Sequence, residues 1–291
     1  MGEEREIELP PEWGGIIPST VFLDEARRIV EEAQTKDLTL RVMGGVGIRL
    51  HCLDYQDFAN RMRRLGEGEQ EFTDLDFMSY KKQRNRMKDL FDSIGYVKRR
   101  ATLSTAASER QIYFHSKGWF FVDVFFDKLL VANHPLDFSN RLELDFPTIP
   151  LTDLLLEKLQ IVNFSEKDLK DTLILLRAHR LEQREESDGI DIRRIAQLLS
   201  KDWGFYYTLT NNLKGVEAFL PRLRDLKEEE TQELRSKIDL LLEHIEREPK
   251  SMGWRMRAKV GARKTWYQPV ETTETVGEFG VWRLLEKRER K

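Results

Sequence analysis

Six of the seven residues in FFVDVFF, positions 120 to 126, are apolar or aromatic, and the seventh is Asp123. A run this rich in Phe and Val is strand material that a fold must bury. An ionised carboxylate buried without a partner costs several kcal/mol. Whatever fold takes this segment inside must therefore give Asp123 something to face. Ser116, Lys117 and Gly118 join RQIYFH, positions 110 to 115, to WFFVDVFFD, positions 119 to 127, so the two segments read as a hairpin with glycine in the left-handed position.

Upstream, strands and helices alternate. VFLDEARRIVEEAQ carries Phe22, Ala26, Ile29 and Val30 at helical spacing, and LTLRVMGG reads as a strand running into a tight turn. VGIRLHCLDYQDFANRMRRLG predicts one helix stopped by Gly66, TDLDFMSY a short strand, and KKQRNRMKDLFDSIG a helix capped by Gly95. After FPTIP the period becomes helical throughout, in LTDLLLEKLQIVNF, SEKDLKDTLILLRAHRLEQRE, GIDIRRIAQLLSKDWGFYYTLTNNL and LKEEETQELRSKIDLLLEHIERE, the last ended by Pro249. The pattern predicts an α+β (α/β-like) unit over 1–148, a helical domain over 149–248 and a basic tail over 249–291 whose centre alternates as a short β hairpin does.

The net charge of −3, from 48 basic and 51 acidic residues, argues against a surface given over wholly to nucleic acid. Cations are concentrated in KKQRNRMK, positions 81 to 88, and in the tail, where eleven Lys or Arg stand against five Glu from Lys250 onward. A solvated face is the plain reading of both. No apolar run approaches a membrane span, the acidic start MGEEREIELPPEW lacks an apolar signal region, and Cys52 is the only cysteine. These features predict a cytoplasmic chain with no membrane partner, with Cys52 a small buried residue. His51, His115, His134, His179 and His244 have no ligand spacing, and Ser104, Thr105 and Ser108 lack a nucleophile elbow.

In DLDF, Asp74 and Asp76 are two apart on a strand and leave the same face. Like charges that close repel unless a cation sits between them. With Asp123 on a neighbouring strand and the same face, three hard oxygen donors converge, a set suited to Mg²⁺ or Mn²⁺. A lone DxD is ordinarily a strand edge; an aspartate inside an apolar strand is the rarer feature. MGGVG, positions 43 to 47, follows a strand and opens a helix, where backbone N–H groups and the helix dipole favour an anion. It is neither a dinucleotide fingerprint nor a P-loop.

Taken together, the glycine turn, DLDF and VDVFF resemble the nucleotidyltransferase superfamily, and LTDLLLEKLQIVNFSEKDLKDTLILL resembles its AbiEii/AbiGii toxin-like group. The resemblance covers roughly residues 38 to 178. It implies a nucleotidyltransferase-fold mixed sheet flanked by helices, with Gly44, Gly45, Asp74, Asp76, Asp123, Lys158, Lys167, Asp168 and Asp171 on the family's pattern. Two departures stand out. The stretch between Gly45 and Asp74 is long, and Val46 occupies the place of the usual Ser or Thr, so Arg49, one turn on, becomes the candidate substitute for gripping a triphosphate.

The resemblance implies a Mg²⁺-dependent transferase that moves a nucleoside monophosphate from an NTP to an acceptor. Asp74 and Asp76 would hold metal and triphosphate, Asp123 would bind metal and help activate the acceptor, and Lys158 and Lys167 would balance phosphate charge. On their own, Lys158 reads as a snorkelling lysine and the pair Lys167 and Asp171 as an exposed i, i+4 salt bridge. RNA such as tRNA, a protein hydroxyl or a small molecule fits as acceptor, and the toxin-like resemblance implies an antitoxin-like partner. A noncatalytic nucleotide-binding module on the same fold, or a kinase transferring the γ-phosphoryl group, are the competing readings.

Overall fold

The computed structural model describes residues 8–99, 110–130, 132–185 and 188–269. Its centre is a mixed sheet of β1 (Leu40–Met43), β2 (Asp74–Ser79), β3 (Val97–Lys98), β4 (Gln111–Phe114) and β5 (Phe121–Phe126), in the order β1-β2-β5-β4-β3. The short strands β6 (Lys128–Leu129) and β7 (Leu136–Asp137) extend it beside β5. β2 and β5 run parallel, whereas β1 with β2 and β4 with β5 run antiparallel. The expected hairpin joins β4 to β5, with Gly118 at φ +73° and its N–H on the His115 carbonyl at 2.8 Å.

Alternation along these strands sorts the apolar run onto two faces. Val122, Val124 and Phe126 join Leu75 and Phe77 in one cluster, with Phe22 and Ile29 of α1 (Ser19–Thr35) and Leu90 and Phe91 of α4 (Arg84–Ser93). Phe125 and Met78 face the other way, into a second cluster that continues through Leu154 and Leu155 of α5 (Leu151–Leu159) and Leu173 of α6 (Glu166–Ala178). Asp74, Asp76 and Asp123 share the face of Met78 and Phe125, towards the helices rather than towards α1. The chain crosses position 148 without leaving the sheet: the Val42 N–H donates to the Pro147 carbonyl and the Ile149 N–H to the Val42 carbonyl, both at 3.0 Å.

Three expectations about elements need correction. The single helix expected after the glycine turn is two, α2 (Gly44–His51) and α3 (Gln56–Met62), separated by a 3-10 turn at Leu53–Tyr55 and closed by Arg63 at φ +47°. The helix expected through Glu185 ends at Ala178; β8 (Arg180–Glu182) then pairs in parallel with β9 (Gly189–Asp191). Asp191 caps α7 (Ile192–Leu199) by accepting the Arg194 N–H at 3.0 Å, and this cap sets the break. α8 (Trp203–Phe219) starts separately from α7, under a cap in which Asp202 accepts the Phe205 N–H at 3.0 Å, and α9 (Glu228–Arg247) follows as expected.

The third correction concerns the tail. Where alternation predicted a β hairpin, residues Met252–Val260 form α10. Ser251 caps it by accepting the Trp254 N–H at 3.1 Å, and Gly261 ends it at φ +60°. Met, Arg, Ala and Lys are good helix formers, and a cap together with packing outweighs a weak two-residue period. Arg257 lies over the Trp203 ring of α8 at 4.7 Å. The rest of the expected hairpin, from Val270 onward, lies outside the described residues. Among the described residues, no helix is long and apolar enough to cross a membrane.

Candidate functional site

The register of the parallel pair sets Asp76 directly beside Asp123, with Asp74 opposite Phe121. Met43, the last residue of β1, faces Asp76 across the antiparallel pair, so the glycine turn starts at the same end of the sheet. Gly44 has φ +68°, and a Cβ there would stand 2.7 Å from Asp76 Oδ2. Only glycine allows both the left-handed backbone and the approach of that carboxylate. Beside the turn lies a cavity of about 230 Å³, lined by Gly45, Arg64, Asp74, Asp76, Lys158 and Lys167, among others.

The helices supply its cations. Lys158, near the end of α5, is buried and lies 3.2 Å from Asp171 Oδ2 and 3.9 Å from Asp168 Oδ1, both on α6. Arg64 donates to both oxygens of Asp171, at 2.7 and 3.1 Å, and to the Glu71 carbonyl at 2.8 Å. Burial pulls the Lys158 ammonium down, but Asp171 and Glu157 outweigh it and hold it above the usual lysine range. Burial pushes the Asp171 carboxyl up, and Arg64 and Lys158 more than reverse this, so it lies below the usual range. Lys167 is exposed at the cavity wall and makes no ion pair among the described residues.

The sheet carboxylates behave oppositely. Burial first, then the charges of Asp74, Asp123 and Glu157, raise the Asp76 carboxyl well above its ordinary value against the pull of Lys158. Burial raises Asp123 to about 7, although Arg110 and Arg99 pull it down. The direct neighbour of Asp123 is Arg110, whose Nη1 donates to Asp123 Oδ2 at 3.0 Å. Oδ1 of Asp123 is buried and has no hydrogen-bond partner among the described residues. Carboxylates on one sheet face, one with an oxygen left over, are hard oxygen donors of the kind Mg²⁺ or Mn²⁺ takes. As the side chains stand, no group of three or more His, Cys, Asp or Glu among the described residues is placed to hold a metal ion.

Several expected site residues have other employment. Arg49, the candidate triphosphate grip, is buried against Glu71 at 2.9 Å and Asn60 at 2.5 Å and does not line the cavity. The Gly44 N–H, expected to face an anion, donates to Glu157 Oε2 at 3.0 Å. Asp168 completes a capping box with Ser165, accepting its hydroxyl at 2.6 Å. Asp171 pairs with Arg64 and Lys158 rather than with Lys167. The basic stretch at 81 to 88 is partly spent internally, with Arg84 over Phe126 and Arg86 on the Asp37 and Lys36 carbonyls.

Arg64, Glu157 and Arg110 are the site residues that sequence reasoning missed. Arg64 comes from a polar loop with no motif, and Arg110 sits at the head of β4, where only the pairing with β5 brings it to Asp123. Glu157 had one signal, a glutamate in the apolar helix beside Lys158. Cys52 is fully buried, as expected, with its thiol pushed up to about 12 by burial. Its Sγ lies 3.6 Å from His179 Nε2, and His179 Nδ1 lies 3.0 Å from Asp188, yet a sealed, protonated thiol is no nucleophile. His134 is a core histidine stacked on Phe205, lowered to about 4 by burial. Ser104, Thr105 and Ser108 lie outside the described residues. Compared with protein-family models and with curated proteins, the chain matches none.

Proposed function

We propose that this chain is a nucleotidyltransferase that binds an NTP with a divalent cation in the cavity beside the glycine turn and transfers its nucleoside monophosphate to an acceptor hydroxyl. The observation that carries the reading is the register setting Asp76 against Asp123, with Asp74 on the same face, next to a cavity walled by Arg64, Lys158 and Lys167. Carboxylates for a metal and cations for phosphate oxygens are the two things phosphoryl chemistry asks of a protein. Asp74, Asp76 and Asp123 would hold Mg²⁺ or Mn²⁺, which neutralises phosphate charge when bound. Arg64 and Lys158, already fixed by Asp171, offer cations that need little reorganisation; exposed Lys167 is free to swing onto a phosphate tail. Asp123 would also help activate the acceptor hydroxyl, as metal ligand or general base.

The nucleotidyltransferase fold and the toxin-like group remain the resemblance that the mixed sheet and the two following helices support. For the acceptor, the described tail offers one argument: Lys250 to Lys264 holds six cations and no acid, a composition suited to the phosphates of RNA.

The test is a thermal shift with each NTP, with and without Mg²⁺, coupled to detection of pyrophosphate. A ligand at 100 times its Kd stabilises by roughly 2.7 kcal/mol. Wild type should shift and release pyrophosphate, and Asp76→Ala should do neither. ADP as the product would instead mark γ-phosphoryl transfer. The second reading, a noncatalytic nucleotide-binding module, is favoured by one observation: Glu157 already takes the Gly44 N–H that would otherwise meet a phosphate. A nucleotide shift without turnover, whatever acceptor is supplied, would support it.

A further inference from the structure

We propose that Arg110 is the positioning residue of this site: it holds Asp123 by one oxygen so that the other is left to the divalent cation. The inference rests on the metal reading above and on the geometry of one ion pair. Arg110 and Asp123 are both buried, and arginine beside a carboxylate in such surroundings ordinarily closes a two-bond fork. Here one bond forms, Nη1 to Oδ2 at 3.0 Å. Asp123 Oδ1, the oxygen a second bond would use, is buried without a hydrogen-bond partner among the described residues.

A buried carboxylate oxygen left unpaired keeps the cost of its desolvation, so a purely structural pair would gain by closing the fork. An open Oδ1 makes sense where that oxygen has another task. Asp76, on the neighbouring strand at the same level, and Asp74 belong to the same face, so a cation held by those carboxylates would find Oδ1 as a further donor. Carboxylates that ligate metals are themselves held by hydrogen bonds from outside the ligand set, and loss of such a partner typically weakens binding by about 10- to 100-fold. Arg110 supplies that bond, Nη1 to Oδ2. Its placement is a product of topology: β4 pairs antiparallel with β5, with Gln111 opposite Val124 and Ile112 opposite Asp123, which brings the head of β4 alongside the carboxylate.

The experiment titrates Mn²⁺ into the full chain and reads binding from the loss of the free-ion paramagnetic signal, with no nucleotide present. Arg110→Gln should weaken Mn²⁺ by about 10- to 100-fold, and Arg110→Lys, which keeps a charged donor, should weaken it less. Tighter binding by R110Q would mean that Arg110 competes with the metal, and unchanged binding that it only packs; either overturns the proposal. If R110Q does not fold, R110K decides alone, since wild-type affinity there sinks the idea and a measurable loss sustains it. Absence of Mn²⁺ binding in wild type at millimolar metal has a different signature and would overturn the underlying metal reading, and this proposal with it.

Discussion

Asp123 keeps its proton up to about 7, whereas the same side chain in the unfolded chain loses it near 3.8. Between those values the native state binds the extra proton, so stability is full at the acid end and falls as pH rises through the window. The complete loss corresponds to roughly 4 kcal/mol. A bound divalent cation would reverse this, because it stabilises the ionised form. Asp123→Asn should therefore flatten the pH dependence of metal-free urea melts between about pH 4 and 7. An unchanged slope would assign that titration to another group. Asp171 behaves differently because two cations, Arg64 at 2.7 Å and Lys158 at 3.2 Å, together outweigh its burial, whereas Asp123 has Arg110 at 3.0 Å set against both burial and the charge of Asp74.

At the scale of elements, the tail was misread and its docking is the more informative result. A Cβ on Gly204 of α8 would stand 2.2 Å from the Trp266 carbonyl oxygen, so glycine is what lets the two backbones touch. The Trp266 indole donates to Thr208 Oγ1 at 3.0 Å, and the Gln268 N–H donates to the Asn133 carbonyl at 2.9 Å. The segment after α10 is thereby tied to α8 and to the loop beyond β6. Gly204→Ala should push it off, at a cost on the order of 1–3 kcal/mol. Amide exchange of Gln268 should speed up while that of β2 and β5 is unchanged; equal protection at Gln268 would mean that the contact yields without cost.

For the molecule as a whole, the composition break near Thr148 is not a break in packing. One apolar cluster runs from Met43, Met78 and Phe125 of the sheet through Leu154 and Leu173 to Ile238 and Leu241 of α9. The cavity spans the same junction, with its carboxylates from strands and Lys158 from a helix beyond position 148. A core shared in this way predicts one cooperative unfolding transition, with calorimetric and van't Hoff enthalpies in agreement. Two resolved transitions, the helical one melting apart from the sheet, would contradict it.

The local periods were sufficient for β1, β2, the β4–β5 hairpin, α1, α4 and the long helices, because each depends on alternation, helical spacing or a glycine stop within its own few residues. The spacing of Asp74 and Asp76 likewise determined that they share a face. Three things were decided only by tertiary structure. The parallel register put Asp123 beside Asp76, and Arg110 became the partner of Asp123 through a strand pairing that no local pattern encodes. Arg49 and Gly44 were drawn away from an anion by Glu71, Asn60 and Glu157, residues 11 to 113 positions distant in the chain. The physical reason is common to all three: a backbone period reports which way a side chain leaves its own element, whereas the partner of a buried charge is whatever opposite charge the packed fold brings within a few ångströms.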